Sequence, residues 1–358
     1  MPTDRFAARR DRLIRKIKQA GVDALLVTNF TNVRYLTGFS GDDSYLLIGR
    51  DACLIISDSR YATQIREECP GLDLSIRRPG KPMTDAVAAV VRRLKPAKLG
   101  FESTSTTVAQ WQALTEKVKL LELVPLAGLV EDLRAVKDRH EITAIREAIR
   151  QAEQGFDEWL SALAPQMTER QAAFDLEHAM RRAGANGASF PPIVAVGSRA
   201  ALPHARPTQT KLLTADFVLV DWGATNEQGY KSDLTRLVVT GKISPKLAKV
   251  YRVVIEAQRR AVKAIRPGVR CCDVDAVARR VIDGAGHGRF AHGLGHGIGL
   301  DIHEGPRLGP ASADELKPGM VVTVEPGIYL PGWGGFRIED DVLVTSDGHE
   351  VLTSVPRE

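Results

Sequence analysis

The chain predicts an α+β protein of two domains, and three observations lead there. Its 358 residues exceed what a single hydrophobic core ordinarily serves. Strand-like and helix-like periods alternate up to residue 117, the pattern of a compact α/β domain. Two long helical periods follow, and from Phe190 onward short strands with Gly and Pro turns dominate, broken by one helix pair. That second half reads as helices packed on a largely antiparallel sheet.

Taken in order, residues 6–20 set Leu13, Ile14 and Ile17 among Arg and Lys and stop at Gly21, an amphipathic helix with a glycine stop. Its basic face needs only solvent. Residues 23–28 form a short apolar strand, and 45–48 with 52–56 flank Gly49-Arg50-Asp51 as a hairpin. Helical periods cover 61–68, 84–94 and 108–117, with a strand near 99–102. The boundary falls in 125–138, giving domains 1–128 and 129–358. Residues 141–163 carry Ile142, Ile145, Ile149, Phe156 and Leu160 at helical spacing and stop before Pro165; a second helix, 169–183, ends at Gly184. Helices over 244–265 and 272–282 interrupt the later strands.

Composition excludes several classes. A hydrophobic fraction of 44% with 26% charged residues is that of an ordinary globular protein. A net charge of +5 is mild over this length, so no nucleic-acid partner is expected. The first fifteen residues hold five arginines with no apolar run behind them, against a secretory signal. No window approaches the roughly 18 apolar residues of a membrane span. Cys53, Cys69, Cys271 and Cys272 lack C-x-x-C spacing and read as reduced thiols in a cytoplasmic protein.

The chemistry gathers in two clusters. Apolar segments 218–222 and 232–239 flank the turn 225–229; centred on Glu227, such a hairpin sets Asp221 opposite Asp233. Glu325 and Glu339 are likewise equidistant from Gly332, inside the turn 331–335. Facing side chains in a hairpin lie about 5 Å apart, and carboxylates that close repel unless a proton or cation lies between them. His296, in the glycine-rich run 292–303, adds a fifth donor. Four carboxylates and one imidazole suit Mn²⁺, Co²⁺ or Fe²⁺ and tolerate Zn²⁺. Bridging carboxylates would hold two such ions about 3.5–4 Å apart. Singly, each residue has a plainer explanation: an Asp in a turn is usually a cap, His292 alone a satisfied histidine, and Asp340 and Asp341 a strand end. The glycine run fails the G-x-G-x-x-G register of a dinucleotide loop. Two matching hairpins with four acids and a histidine resist that plainer account.

The motifs Asp-Trp-Gly-Ala (221–224), Tyr-Lys-Ser-Asp-Leu-Thr-Arg (230–236), His-Gly-Leu-Gly-His-Gly-Ile-Gly-Leu-Asp-Ile-His-Glu (292–304), Val-Glu-Pro-Gly-Ile-Tyr (324–329) and Arg-Ile-Glu-Asp-Asp (337–341) resemble those of the pita-bread metallopeptidases. Within them the chain is most similar to the Xaa-Pro dipeptidase (prolidase) and Xaa-Pro aminopeptidase branch. Residues 32–41 and 58–61 resemble the creatinase/prolidase N-terminal domain, and 190–194 and 201–205 the entry to the catalytic domain. The resemblance implies a pita-bread catalytic domain with helices on a curved, largely antiparallel sheet. It implies two divalent ions, Mn²⁺ foremost, on Asp221, Asp233, His296, Glu325 and Glu339. Catalysis would fall to His204, His303 and Glu325, through a hydroxide shared by the ions. Substrate contacts would fall to His292, Arg307 and Arg337, with Arg307 in the place where some prolidases hold the terminal carboxylate. Substrates would be small peptides with proline second, and the assembly a homodimer. No ligand position departs from the pattern, which disfavours the metal-free creatinase branch. The alternative is a pita-bread pseudoenzyme that binds protein or nucleic acid; such relatives usually lose ligands.

Overall fold

The computed structural model describes residues 2–164, 166–286 and 290–357. Pro165, the expected helix stop, lies outside them. The chain divides into two compact units, the first ending at Arg134 and the second beginning at Ala135.

The first unit runs α1 (Pro2–Gln19), β1 (Ala24–Val27), α2 (Phe30–Thr37), β2 (Ser44–Gly49), β3 (Cys53–Ser57), α3 (Ala62–Glu68), β4 (Asp73–Ile76), α4 (Met83–Leu94), β5 (Lys98–Glu102), α5 (Val108–Lys117) and β6 (Glu122–Leu126). The strands form one mixed sheet in the order β4-β3-β2-β1-β5-β6. β1 and β2 are buried along their whole length, which is why they read as unbroken apolar runs rather than alternating ones. Helix α2 is absent from the sequence expectation, being too short to show a period. Its start is set by Asn29, whose side chain accepts from the amides of Thr31 and Asn32, and its end by Gly38 at positive φ.

A one-turn helix, α6 (Glu131–Ala135), follows. The second unit then comprises α7 (Arg139–Ser161), α8 (Glu169–Arg182), β7 (Gly187–Ala188), β8 (Ile193–Val196), β9 (Phe217–Trp222), β10 (Ala224–Thr225), β11 (Leu234–Val239), α9 (Pro245–Ala264), α10 (Cys271–Gly284), β12 (Gly295–Gly297), β13 (Glu304–Leu308), β14 (Val321–Val324), β15 (Gly327–Leu330), β16 (Gly334–Arg337), β17 (Asp340–Val344) and β18 (His349–Val351). Antiparallel sheets β11-β9-β8 and β13-β12-β14-β17-β18 carry it, with two short ribbons, β10-β7 and β15-β16. The architecture is the expected α+β. Among the described residues no helix is long and apolar enough to cross a membrane.

Two cores grip β9 from its two sides. Val218, Val220 and Trp222 join Phe156, Trp159 and Leu176 from α7 and α8. The Trp222 ring stacks on Phe156 at 4.2 Å, and its Nε1 donates to the Ala152 carbonyl at 3.0 Å. Phe217 and Leu219 join Val250, Val254 and Val274 from α9 and α10. Burial of each such side chain contributes about 1.5–3 kcal/mol. Alternation along the strand then sends Asp221 to the Phe217–Leu219 face.

The first acid-bearing hairpin corrects the sequence reading. Asp221 pairs with Thr235 rather than Asp233, so the hairpin is centred on Gln228, not Glu227. Asn226 causes the shift. It is buried; its amide bonds the Tyr230 carbonyl, its side chain accepts from the Tyr230 amide, and Gly229 takes the positive φ that closes the turn. Because the slip is two residues, Asp233 keeps its face and lies diagonal to Asp221.

In the second hairpin the ladder register does place Glu325 across from Glu339, since Val324 pairs with Asp340 and Gly327 with Arg337. The strands expected as continuous are broken at just these glutamates, where the hairpin passes from the five-stranded sheet to the ribbon. Pro326 has no N–H to extend the ladder. The glutamate amides turn to other segments, Glu325 to the Leu294 carbonyl at 2.8 Å and Glu339 to the Thr235 carbonyl at 3.2 Å.

Candidate metal centre

His296 sits at the middle of β12, squeezed between β14 and β13. A Cβ at Gly295 would lie 2.0 Å from the Thr323 carbonyl oxygen and one at Gly297 would lie 2.1 Å from that of Gly305, so only glycines allow this approach. Its Nδ1 lies 3.1 Å from the Gly297 carbonyl, which places the proton there and leaves the Nε2 lone pair facing the acids. Nε2 is 3.4 Å from Glu325 Oε1 and 3.7 Å from Asp233 Oδ2. Asp233, His296 and Glu339 each offer an atom within 4.8 Å of the others. Asp221 lies outside that trio: its Oδ2 is bonded to the Arg337 guanidinium, and its Oδ1 is buried with no partner.

Burial dominates the electrostatics. It raises Asp221, opposed by Arg337, and it raises Asp233 and Glu339 well above the usual carboxylate range, with repulsion from neighbouring acids adding to it. Glu325 is pushed up to about 8 by burial, against the pull of Arg337. Burial holds His296 down to about 4, so its imidazole is a neutral donor near pH 7. Four carboxylates crowded around one guanidinium are stable only with protons or cations among them. Hard oxygens, one imidazole lone pair and an unpartnered buried Asp221 oxygen fit divalent cations of the Mn²⁺ class.

Several supports escaped the sequence reading. Thr235 donates to Glu339 Oε2 at 2.6 Å and accepts from Arg337 Nε at 3.1 Å. Thr323 accepts from the His296 amide at 3.1 Å and donates to Glu325 at 3.3 Å. The Tyr329 hydroxyl accepts from Arg337 at 2.9 Å and meets His292 Nε2 at 2.9 Å. These residues carry no charge; Thr235 and Tyr329 fall inside the motifs 230–236 and 324–329, but composition gives them no partner. Asp341 corrects a plainer reading. It does not end a strand; it stands inside β17, fully buried, and its Oδ2 accepts from the Asp233 amide at 3.1 Å. Asp341→Ala strips that amide of its acceptor and should weaken metal affinity about 10- to 100-fold, the scale of losses at ligand-supporting residues. Competition titration with a metallochromic indicator reads this.

The acids and His296 open onto a cavity of about 310 Å³ that His204, His292, His303 and Arg337 also line. Phe190, Pro191, Ile193, Pro203 and Ile302 supply an apolar wall. The His303 ring centroid is 4.5 Å from that of His296, and burial, then the Arg307 charge, lower its pKa. His292 is held down to about 4, chiefly by burial. Arg337 is buried, with all three nitrogens engaged by Thr235, Tyr329, Asp221 and the Pro203 carbonyl. Arg307 stands opposite His296 in the ladder, is exposed, and does not line the cavity.

Comparison with known proteins adds two family matches: metallopeptidase family M24 over residues 143–346, and the creatinase/prolidase N-terminal domain over 9–136. An uncharacterized peptidase of Bacillus subtilis is 39% identical over 95% of this chain and 96% of its own length. A solved Xaa-Pro dipeptidase from Bacillus anthracis is 41% identical with a TM-score of 0.94, covering 99% of both chains. An X-Pro aminopeptidase structure from Thermotoga maritima is 36% identical with a TM-score of 0.88, covering 98% of this chain and 99% of that one.

Proposed function

The chain belongs to metallopeptidase family M24, with a creatinase/prolidase N-terminal domain ahead of the catalytic unit, and on that premise we propose that it hydrolyses the bond between an N-terminal residue and proline with two divalent cations. The observation that carries the reading is the cavity that gathers three buried carboxylates, the half-buried one of Glu325 and a neutral imidazole beside an apolar wall. Asp221, Asp233, His296, Glu325 and Glu339 would hold the ions.

Bound divalent cations supply Lewis-acid polarisation of a carbonyl and lower the pKa of water towards neutrality. The chain's own groups do the rest. Glu325, whose Oε1 lies 3.4 Å from His296 Nε2, has a carboxylate that can take a proton from the attacking water and return it to the leaving amine. Neutral His303 is a donor for the oxygen on which charge develops. His204, which also lines the cavity, orients the substrate. Phe190, Pro191 and Ile193 suit a pyrrolidine ring. A bond to proline has no amide N–H, so a site that holds the ring by apolar contact replaces the missing donor. Support for proline as second residue also comes from the relatives, one described as an Xaa-Pro dipeptidase and another as an X-Pro aminopeptidase.

The test is hydrolysis of Ala-Pro and Ala-Pro-Ala by the purified protein, as isolated, after EDTA, and after Mn²⁺ is restored. Cleavage of either peptide that EDTA stops and Mn²⁺ restores is the expected result. A metal-loaded protein silent on both would contradict the reading and favour a binding module.

A further inference from the structure

The loop that brings His204 to the cavity runs between the short helical turns Gly197–Ala201 and Leu212–Thr214. His204 is exposed, and its ring makes no hydrogen bond among the described residues. Its own side chain therefore does nothing to place it, and the backbone beneath must. That backbone is held by one acid. Glu169, the first residue of α8, is wholly buried, and its carboxylate accepts from the Val196 amide at 2.9 Å, Arg199 Nε at 3.0 Å, and the Thr208 amide and hydroxyl at 2.8 and 2.6 Å. Arg199 in turn donates to the Arg206 carbonyl at 2.7 Å. Pro207 restricts Arg206 to extended backbone. The first amides of α8, which have no partner within the helix, complete the hold. Those of Glu169 and Arg170 donate to the Thr210 and Thr208 carbonyls at 2.9 and 3.0 Å.

The helix itself does not need this acid. Thr168 already caps α8 by accepting from the Gln171 amide, and all four donors to the Glu169 carboxylate lie outside the helix. A buried carboxylate is stable only when well-placed donors surround it, and here they come from both limbs of the loop. From the other side, Arg337 Nη1 donates to the Pro203 carbonyl at 3.4 Å. The residue before His204 and the second one after it are thus both tied by arginines, one resting on Asp221 and the other on Glu169. We propose that the buried Glu169–Arg199 pair is the positioning device of His204 and sets where its imidazole meets the substrate. Neither residue of the pair lines the cavity. The inference rests on the peptidase reading above, in which His204 orients the substrate.

The experiment is a double-mutant cycle on the Mn²⁺-loaded protein, with kcat/KM measured on whichever of Ala-Pro and Ala-Pro-Ala the wild type cleaves better. Glu169→Gln puts an amide group where donors converge, and Arg199→Ala cuts only the tie to Arg206, leaving Glu169 its three other donors. The second variant carries the test should the first fail to fold. Glu169→Gln should lower kcat/KM about 10- to 100-fold, the scale of a small misplacement of a substrate-orienting group. Arg199→Ala should lower it by a smaller factor, and both should keep the wild-type metal content. In a His204→Ala background either substitution should change kcat/KM by less than about twofold, because the residue they act through is gone. A merely structural role would instead give the full loss in both backgrounds. That additive result, a loss matched by lost metal, or wild-type activity in both single variants would overturn the assignment and leave the peptidase reading intact. A wild type that cleaves neither peptide would overturn both.

Discussion

Asp233→Ala should lose at least about a thousandfold in kcat/KM and, with it, bound metal, without unfolding. The carboxylate contributes to the trio that converges with His296 and Glu339, so its removal takes away one of few donors and leaves a hole that water fills poorly. The same substitution relieves the metal-free protein. Asp233 is buried, its pKa is raised by burial and then by Glu339, Asp221 and Glu325, and deleting it removes that repulsion. The apo variant should therefore melt no lower than the apo wild type, whereas a merely structural Asp233 would cost stability when removed. An active Asp233→Ala enzyme with full metal content would refute its place as a ligand.

Chelation should make stability depend on pH in a direction unusual for an acidic cluster. Glu325 has a folded pKa of about 8 against 4.5 for the free side chain, and Asp233 and Glu339 shift the same way. The folded apo protein keeps protons that the unfolded chain has released, so stability falls as pH climbs. Below about pH 6.5 the histidines oppose this. His292 and His296, held down to about 4, bind protons more readily when unfolded and make stability rise with pH there. Between about pH 6.5 and 8 the unfolded histidines, His303 among them, finish releasing their protons and the carboxylates outweigh them. The EDTA-treated protein should lose on the order of 2 kcal/mol across that window, a fall of several degrees in Tm. Mn²⁺ should abolish the fall, since cations bind the deprotonated site and bind it better as pH rises. Scanning calorimetry at pH 6.5 and 8, with and without metal, reads both; an apo Tm that holds steady or rises would sink the account.

How far the site was legible follows from where each signal lies. The Glu325–Glu339 pairing can be read from symmetry about Gly332, because that turn keeps its centre, Leu330 pairing with Gly334. The Asp221–Asp233 pairing slips by two because Asn226 closes its turn with a buried side chain whose partner, the Ala144 carbonyl, lies in α7. Alternation rescued the face but not the register. Tyr329, Thr323 and Thr235 could not be found from composition, since their hydroxyls matter only through groups brought in by the fold, such as Arg337 to Thr235 across 102 residues. Asp341 was visible as an acid and lost among its neighbours; its role depends on the Asp233 amide at 3.1 Å.

The central claim is that five residues hold two cations in this cavity. Metal content per chain, by plasma mass spectrometry after saturation with Mn²⁺ and removal of the excess, tests it most directly. The account predicts two equivalents in the wild type and a marked loss in Asp233→Ala. A single equivalent, held by Asp233, His296 and Glu339 alone, or none at all, would contradict it.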